Sequence, residues 1–355
     1  MKIESIEIRL ENLKLSKPYR IAFKTIDFVE NLFVMVRMTN GIIGYGSCNP
    51  ENEVAFISRK KTLESIELLD QDKLKSISFD DPWTMIHEIN TMLDHVPTLQ
   101  AALEISIWDA WGKSLDKSVL DIWGKKIDPL PTSVTIGIMD AEQTLQEAHA
   151  FIKNGFDHLK IKIGIDPESD TERIIKLREE FKDSIVIRAD INQGYRLEDF
   201  TTFLSLSENL GIELYEQPLR RDQFTDLDTI NTSQKSTIAA DESLLNIADA
   251  NELITNNRCG ILNIKIMKCG GPSFVDPISE LAKNHQVTLM WGCNDESRLS
   301  IAAAMNMAYA HENTKYLDLD GSFDLAYDPA LGGFEIKNGV MIPVDKPGFG
   351  IDLEF

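Results

Sequence analysis

The chain has few cysteines, a deficit of positive charge and no long apolar run. Four cysteines, Cys48, Cys259, Cys269 and Cys293, occur in 355 residues, and none form a CxxC pair. A thiolate zinc framework or disulfide scaffold is therefore not expected, and a reducing cytoplasmic setting is. The six histidines include no HExxH spacing. Lys and Arg total 36 against 57 Asp and Glu, a formal net charge of −21. Nucleic acid and anionic membranes are held by Lys and Arg, so neither is an expected partner. No window approaches the ~20 apolar residues of a membrane span. Met1-Lys-Ile-Glu-Ser-Ile-Glu-Ile alternates like a strand and lacks the apolar core of a signal peptide. No G-x-G-x-x-G follows a first strand, and no G-x-x-x-x-G-K-[ST] loop occurs. The usual nucleotide-binding signals are therefore missing.

What the chain does have is a recurrence of short apolar runs ending in charge. These are His158-Leu-Lys160-Ile-Lys162, Ile187-Arg-Ala-Asp190, Leu214-Tyr-Glu216, Ile238-Ala-Ala-Asp241, Asn263-Ile-Lys265 and Tyr316-Leu-Asp318-Leu-Asp320. With Val134–Ile138 and Val287–Trp291 they make eight strands, beginning near 133, 158, 185, 212, 237, 261, 287 and 315, each but the last leading toward a helical stretch. Such alternation predicts an α/β fold with a parallel sheet, and eight units favour a closed TIM barrel of the (β/α)7β type. The first 125 residues read differently, as α+β. Strands are expected at 2–10 and 33–38, with a Thr39-Asn-Gly41 turn, then helices near 53–70, 82–94 and 98–113. The expected domains are 1–125, completed by about 335–355, and a barrel over 126–334.

Strand residues alternate between faces. Leu159, Ile161 and Ile163 share one face of their strand, and Lys160 and Lys162 share the other. Asn263 and Lys265 likewise oppose Leu262, Ile264 and Ile266, and Asp318 and Asp320 oppose Leu317 and Leu319. Glu216 is less regular, because it shares parity with Ile212 and Leu214. Isolated buried ions are costly, so these charges are expected to cluster at the C-terminal mouth of the barrel. A network of stabilising ion pairs is the plainer alternative.

Asp190, Glu216 and Asp241 offer hard oxygen ligands without matching His or Cys, which suits one Mg²⁺. A metal there would acidify the α-proton of a bound carboxylate by stabilising the enediolate. Lys162 and Lys265 would address opposite faces of that carbon as bases, their pKa values lowered toward roughly 7–8. Lys160 would assist beside Lys162, and Lys268 competes with Lys265 for the second role. Asp318 and Asp320 form an anionic pair suited to a substrate ammonium, or to nearby lysines.

Together, Lys160-Ile-Lys162, Asp190-Ile-Asn192, Glu216-Gln-Pro218, Asp241-Glu-Ser243 and Lys265 before Gly270-Gly271 resemble the enolase superfamily in its muconate-lactonizing subgroup. The resemblance implies a barrel under an α+β capping domain, a Mg²⁺ cofactor and a Lys base. Asp318-Leu-Asp320 is similar to the D-x-D of dipeptide epimerases. It implies inversion of the C-terminal residue of L-Ala-X dipeptides, with L-Ala-D/L-Glu an expected pair. Thr135 matches a position near substrate, and Lys24 lies in a segment resembling a mobile loop with a basic residue that pairs with a glutamate side chain. Asn294 and Asp295 depart from the apolar residues usual there and weaken an acidic preference. A homo-oligomer is expected. The alternatives on the same residues are o-succinylbenzoate synthesis, N-acylamino acid racemisation, a non-catalytic dipeptide-binding protein and a Schiff-base aldolase.

Overall fold

A computed structural model describes residues 1–20, 25–50, 55–93 and 95–355. Strands β1 (Ile3–Arg20), β2 (Thr25–Met38) and β3 (Ile43–Cys48) form an antiparallel sheet. The second strand starts earlier than its apolar run because β1 pairs with it as far as Arg20 and Thr25. The stretch expected as one helix over 53–70 contains the helix Arg59–Glu67, and Gln71–Ser76 is a separate helix capped by Asp70. The Asp70 side chain accepts from Lys73 N, a local bond that restarts the helix. The Ala-rich segment forms Pro97–Leu115, which is almost wholly buried.

The barrel strands are β4 (Val134–Ile136), β5 (His158–Lys162), β6 (Val186–Asp190), β7 (Ile212–Glu216), β8 (Ile238–Ala240), β9 (Ile261–Ile264), β10 (Thr288–Gly292) and β11 (Thr314–Asp318). They lie in chain order in one sheet, with every adjacent pair parallel. A parallel bridge from Thr132 to Leu317 and a bond from Ser133 N to Leu317 O (3.0 Å) join the two edges. Each strand begins within one residue of the position read from the sequence. The helix after β6 runs from Leu197 to Ser207.

Leu214, Ala239, Ile261, Met290 and Tyr316 form an apolar cluster separate from the main core. Leu214, Ala239, Ile261 and Tyr316 precede Glu216, Asp241, Asn263 and Asp318 by two residues, so they share a face with them. The cluster therefore fills the lumen beneath the charged layer. This removes the apparent irregularity of Glu216. An apolar residue in a barrel strand can face inward as well as toward the helices.

The C-terminal segment returns to the first sheet. Strands β12 (Ala330–Gly332) and β15 (Ile351–Leu353) pair, as do β13 (Phe334–Lys337) and β14 (Val340–Pro343). Asp109, fully buried on the Pro97–Leu115 helix, accepts from Tyr45 N (2.9 Å) and Phe349 N (2.8 Å) and pairs with Lys113 (2.6 Å). Among the described residues no helix is long and apolar enough to cross a membrane.

Candidate active site

Parallel register sets the site's height. Lys162 is the cross-strand partner of Asp190, and Asp190 of Glu216. Asp241 lies one residue past β8, and Lys265 one residue past β9, where it begins the single turn Ile266–Cys269. Strand ends thus bring the lysines and carboxylates to one level of the ring. Asn192, Gln193 and Gln217 follow β6 and β7 with φ of 44°, 67° and 37°, a strained conformation for non-glycine residues. Gln217 secures one such corner, its Oε1 accepting from Asp241 N (2.9 Å) and Ser243 N (3.1 Å).

Two lysine-centred groups result. In the first, Lys162 Nζ donates to Asp190 Oδ2 (2.6 Å) and Asn192 Oδ1 (2.7 Å). Lys160 Nζ pairs with Asp318 and stands 3.4 Å from Asp190 and 3.7 Å from Glu216. Ser133 Oγ also donates to Asp318 (2.6 Å), and Thr135 N donates to Asp320 (2.7 Å). In the second, Lys265 Nζ lies 2.9 Å from Asp241 Oδ2 and 3.3 Å from Asn294 Oδ1. Lys268 Nζ pairs with Asp241 Oδ1 and donates to the carbonyls of Asp241 (2.6 Å) and Asn263 (3.0 Å). Those two backbone bonds mark Lys268 as a fixed strut, leaving Lys265 the more available amine. Asn263 Nδ2 bridges the groups by donating to Glu216 Oε1 (2.8 Å).

Asp190, Glu216 and Asp241 are each at most 1% exposed. Burial pushes Glu216 up to about 8, reinforced by Asp190. Burial also opposes ionisation of Asp241, but Lys265 and Lys268 hold it well below the usual carboxylate range. Asp190 is lowered in the same sense by Lys162 and Lys160 against its own burial. Lys265 differs from the sequence expectation of a lowered pKa. Burial disfavours the charge of Lys160 and Lys265, yet Asp318 and Asp241 respectively, with Glu216, raise both above the ordinary lysine range. Pairing with carboxylates outweighs desolvation here.

Among the described residues no group of three His, Cys, Asp or Glu side chains already surrounds a common point as a metal cage. The chemistry of the donors nevertheless fits a hard divalent cation. Six buried or half-buried carboxylates (Asp190, Glu216, Asp241, Glu242, Asp318, Asp320) face four lysines (Lys160, Lys162, Lys265, Lys268), a formal surplus of two negative charges. Glu216 Oε2 is buried without a hydrogen-bond donor, between the two lysine-paired aspartates. An oxygen with spare lone pairs at that point suits a cation.

Lys24 lies outside the described residues. Asp295 is half-buried, its carbonyl accepting from Asn49 Nδ2 (2.9 Å) and Asn31 Nδ2 (3.3 Å) of the capping domain. Ser133, Asn263 and Gln217 were not assigned roles from sequence. Their only signal is adjacency to charged strand ends.

Two family descriptions match the chain. The mandelate racemase/muconate lactonizing enzyme N-terminal domain covers residues 3–124, and the enolase C-terminal domain-like unit covers residues 143–354. The chain belongs to the mandelate racemase/muconate lactonizing enzyme family of the enolase superfamily. Within this family, the L-Lys-D/L-Arg epimerase of Desulforapulum autotrophicum is 41% identical over 352 residues, 99% of each chain. The dipeptide epimerase structure from Methylococcus capsulatus, complexed with Mg and L-Arg-D-Lys, superposes with a TM-score of 0.94 at 40% identity, covering 99% of each chain. A substrate-liganded L-Ala-D/L-Glu epimerase from Bacillus subtilis gives 0.93 at 29% identity, also over 99% of each chain.

Proposed function

We propose that this chain is a Mg²⁺-dependent dipeptide epimerase that inverts the α-carbon of a C-terminal residue by two-base proton transfer. It is an isomerase of amino-acid derivatives, as its relatives are. The observation that carries the reading is the placement of two amines across one ring. Lys162 ends β5 and Lys265 follows β9, four strands apart in a sheet of eight, with Asp190, Glu216 and Asp241 at the ends of the strands between. A carboxylate substrate held over the three acids would present opposite faces of its α-carbon to the two lysines. One lysine takes the proton and the other returns it from the far side.

Mg²⁺ is the cofactor of this family. Asp190, Glu216 and Asp241 would hold it, and when bound it supplies electrostatic stabilisation for negative charge developing on the substrate. Turning Asp190 and Asp241 toward a cation would release Lys162 and Lys265 from their carboxylate partners, which favours neutral amines. Lys160 would steady the substrate carboxylate. Asp320, more open than the lysine-bound Asp318, would receive the substrate ammonium beside Thr135.

For the side chain, a cationic dipeptide fits better than the L-Ala-D/L-Glu pair. The L-Lys-D/L-Arg name of a 41% identical relative supports this. So do the acids near Asp320: burial, then Asp318 and Asp324, raise it, and Asp324 is itself pushed up to about 6 by burial and then by Asp295 and Glu147, against Lys17. The test is incubation in D₂O with L-Arg-L-Lys, L-Ala-L-Glu and an N-acyl-L-lysine. Mg²⁺-dependent deuterium entry with inversion, fastest for the cationic dipeptide, is expected. No exchange with any dipeptide would sink the epimerase reading. Exchange with the N-acyl compound alone would move the chain to a racemase.

A further inference from the structure

Lys265 leaves its strand into an unusual junction. The turn Ile266–Cys269 is followed by Gly270 and Gly271, with φ of 109° and 122°, and then by the helix Pro272–Asn284. Backbone bonds from Gly270 N and Gly271 N to Ile266 O (3.0 and 3.2 Å) make the junction continuous. The helix has no side-chain cap of its own, because its N-cap is Gly271. Pro272 has no N–H, so the first donor needing a partner is Ser273 N.

That partner comes from the other domain. Glu104, on the Pro97–Leu115 helix and 1% exposed, accepts from Ser273 N (2.5 Å) and Ser273 Oγ (2.8 Å). Trp108 Nε1 donates to the same carboxylate at 3.3 Å. A Cβ on Gly271 would stand 2.5 Å from Glu104 Oε2, so the carboxylate lies directly against the glycine backbone. A buried acid is costly in so apolar a helix, and here it acts as the missing cap of a helix in the barrel.

We propose that Glu104 is a positioning residue for the Lys265 face of the site, setting through Gly271 and Ser273 where the Lys265–Lys268 turn stands. The proposal rests on the two-base reading above. It makes proton transfer on one face of the substrate depend on the capping domain. The other face is independent of it, because the segment after Lys162 is held by Asp170 of the barrel, which accepts from Gly164 N (2.9 Å) and Ile165 N (3.1 Å).

The test combines two measurements. Amide hydrogen exchange of the protein without added metal reads the junction, and α-proton exchange in D₂O from each dipeptide epimer reads the two faces. Lys162→Ala and Lys265→Ala first assign each epimer to its lysine. Glu104→Ala is expected to speed amide exchange over 266–276 and not over 158–166. It should slow the exchange served by Lys265 by about tenfold, the scale of a small misplacement of a reacting group, and the exchange served by Lys162 by less than about twofold. Glu104→Gln keeps an acceptor for Ser273 and should restore most of the loss. Equal slowing of both faces, or no slowing, would overturn the proposal. Should the wild-type protein exchange no dipeptide α-proton, the two-base reading falls on its own. Unchanged amide exchange over 266–276 in Glu104→Ala would then still overturn the role of Glu104 in the junction.

Discussion

The two lysine-bearing junctions occupy opposite sides of one ring, but different parts of the chain hold them. After Lys162, Asp170 gathers three backbone N–H groups, from Gly164, Ile165 and Asp166, together with the Tyr195 hydroxyl (2.7 Å). Arg173 pairs with Asp170 (2.8 Å) and donates to Lys162 O (2.7 Å). Every partner falls within residues 162–195, so the clamp completes as neighbouring βα units form. After Lys265, the clamp is Glu104, 169 residues distant in sequence from Ser273. It exists only once the capping helix has docked. Two amines proposed for matching chemical tasks thus have unlike structural dependencies, one local and one between domains.

The harshest way to break the comparison removes the amines. Lys162→Ala and Lys265→Ala should each lower epimerisation by about 10³-fold, within the range for loss of a general acid or base. Steady-state polarimetry checks this, and near-normal turnover in either variant would refute the pairing of bases. Next comes the local clamp. Asp170→Ala leaves the buried Arg173 without its partner and should cost about 3–5 kcal/mol in denaturant unfolding. The remote clamp should respond to pH instead. Burial pushes Glu104 from 4.5 up to about 7, with Ser273 and Trp108 only partly offsetting it. A carboxyl raised by folding contributes stability that is fully present below about 4.5 and is lost as pH rises through about 7. The total is about 3 kcal/mol. Glu104→Gln should flatten that loss when melting temperatures of both proteins are compared at pH 5 and pH 8.

The finest contrast uses the glycines. A Cβ on Gly164 would meet Ile191 O, a backbone atom, at 2.5 Å, whereas on Gly271 it would meet the Glu104 side chain. Both positions have φ beyond 100°, so either alanine is strained. In a double-mutant cycle, Glu104→Ala should relieve Gly271→Ala by about 1 kcal/mol and leave Gly164→Ala unchanged.

These contrasts also separate what the sequence discloses from what it conceals. The barrel was legible because its strands repeat at a nearly constant interval and each carries an alternating pattern. Asp166-Pro167 has the form of a helix start, and Asp166 Oδ2 accepts from Ser169 N at 2.9 Å. The clustering of the site's lysines and carboxylates was legible because a charge at the end of an apolar run has few explanations. The helix Gln71–Ser76 was missed because it is only six residues long and a single capping aspartate, Asp70, starts it. Asp170 and Glu104 were missed for a different reason. Each is one carboxylate on a helix, and its meaning depends on a backbone donor brought near by folding. Glu104 did carry a clue, since Leu103-Glu104-Ile105 lies in a helix apolar on nearly every side. A charge in such surroundings is seldom buried without partners.

The buried Asp109 has a further consequence, for synthesis of the chain. Its Oδ1 is satisfied by Phe349 N, which leaves the ribosome 240 residues after it. A nascent chain holding only the first sheet and its helices carries that oxygen desolvated and without its second backbone donor. The unit must then either stay loose or keep the site wet until the tail arrives. Expressed without residues 345–355, the capping region should retain its helices but bind an apolar dye that the full chain excludes, because its central carboxylate would hold the packing open.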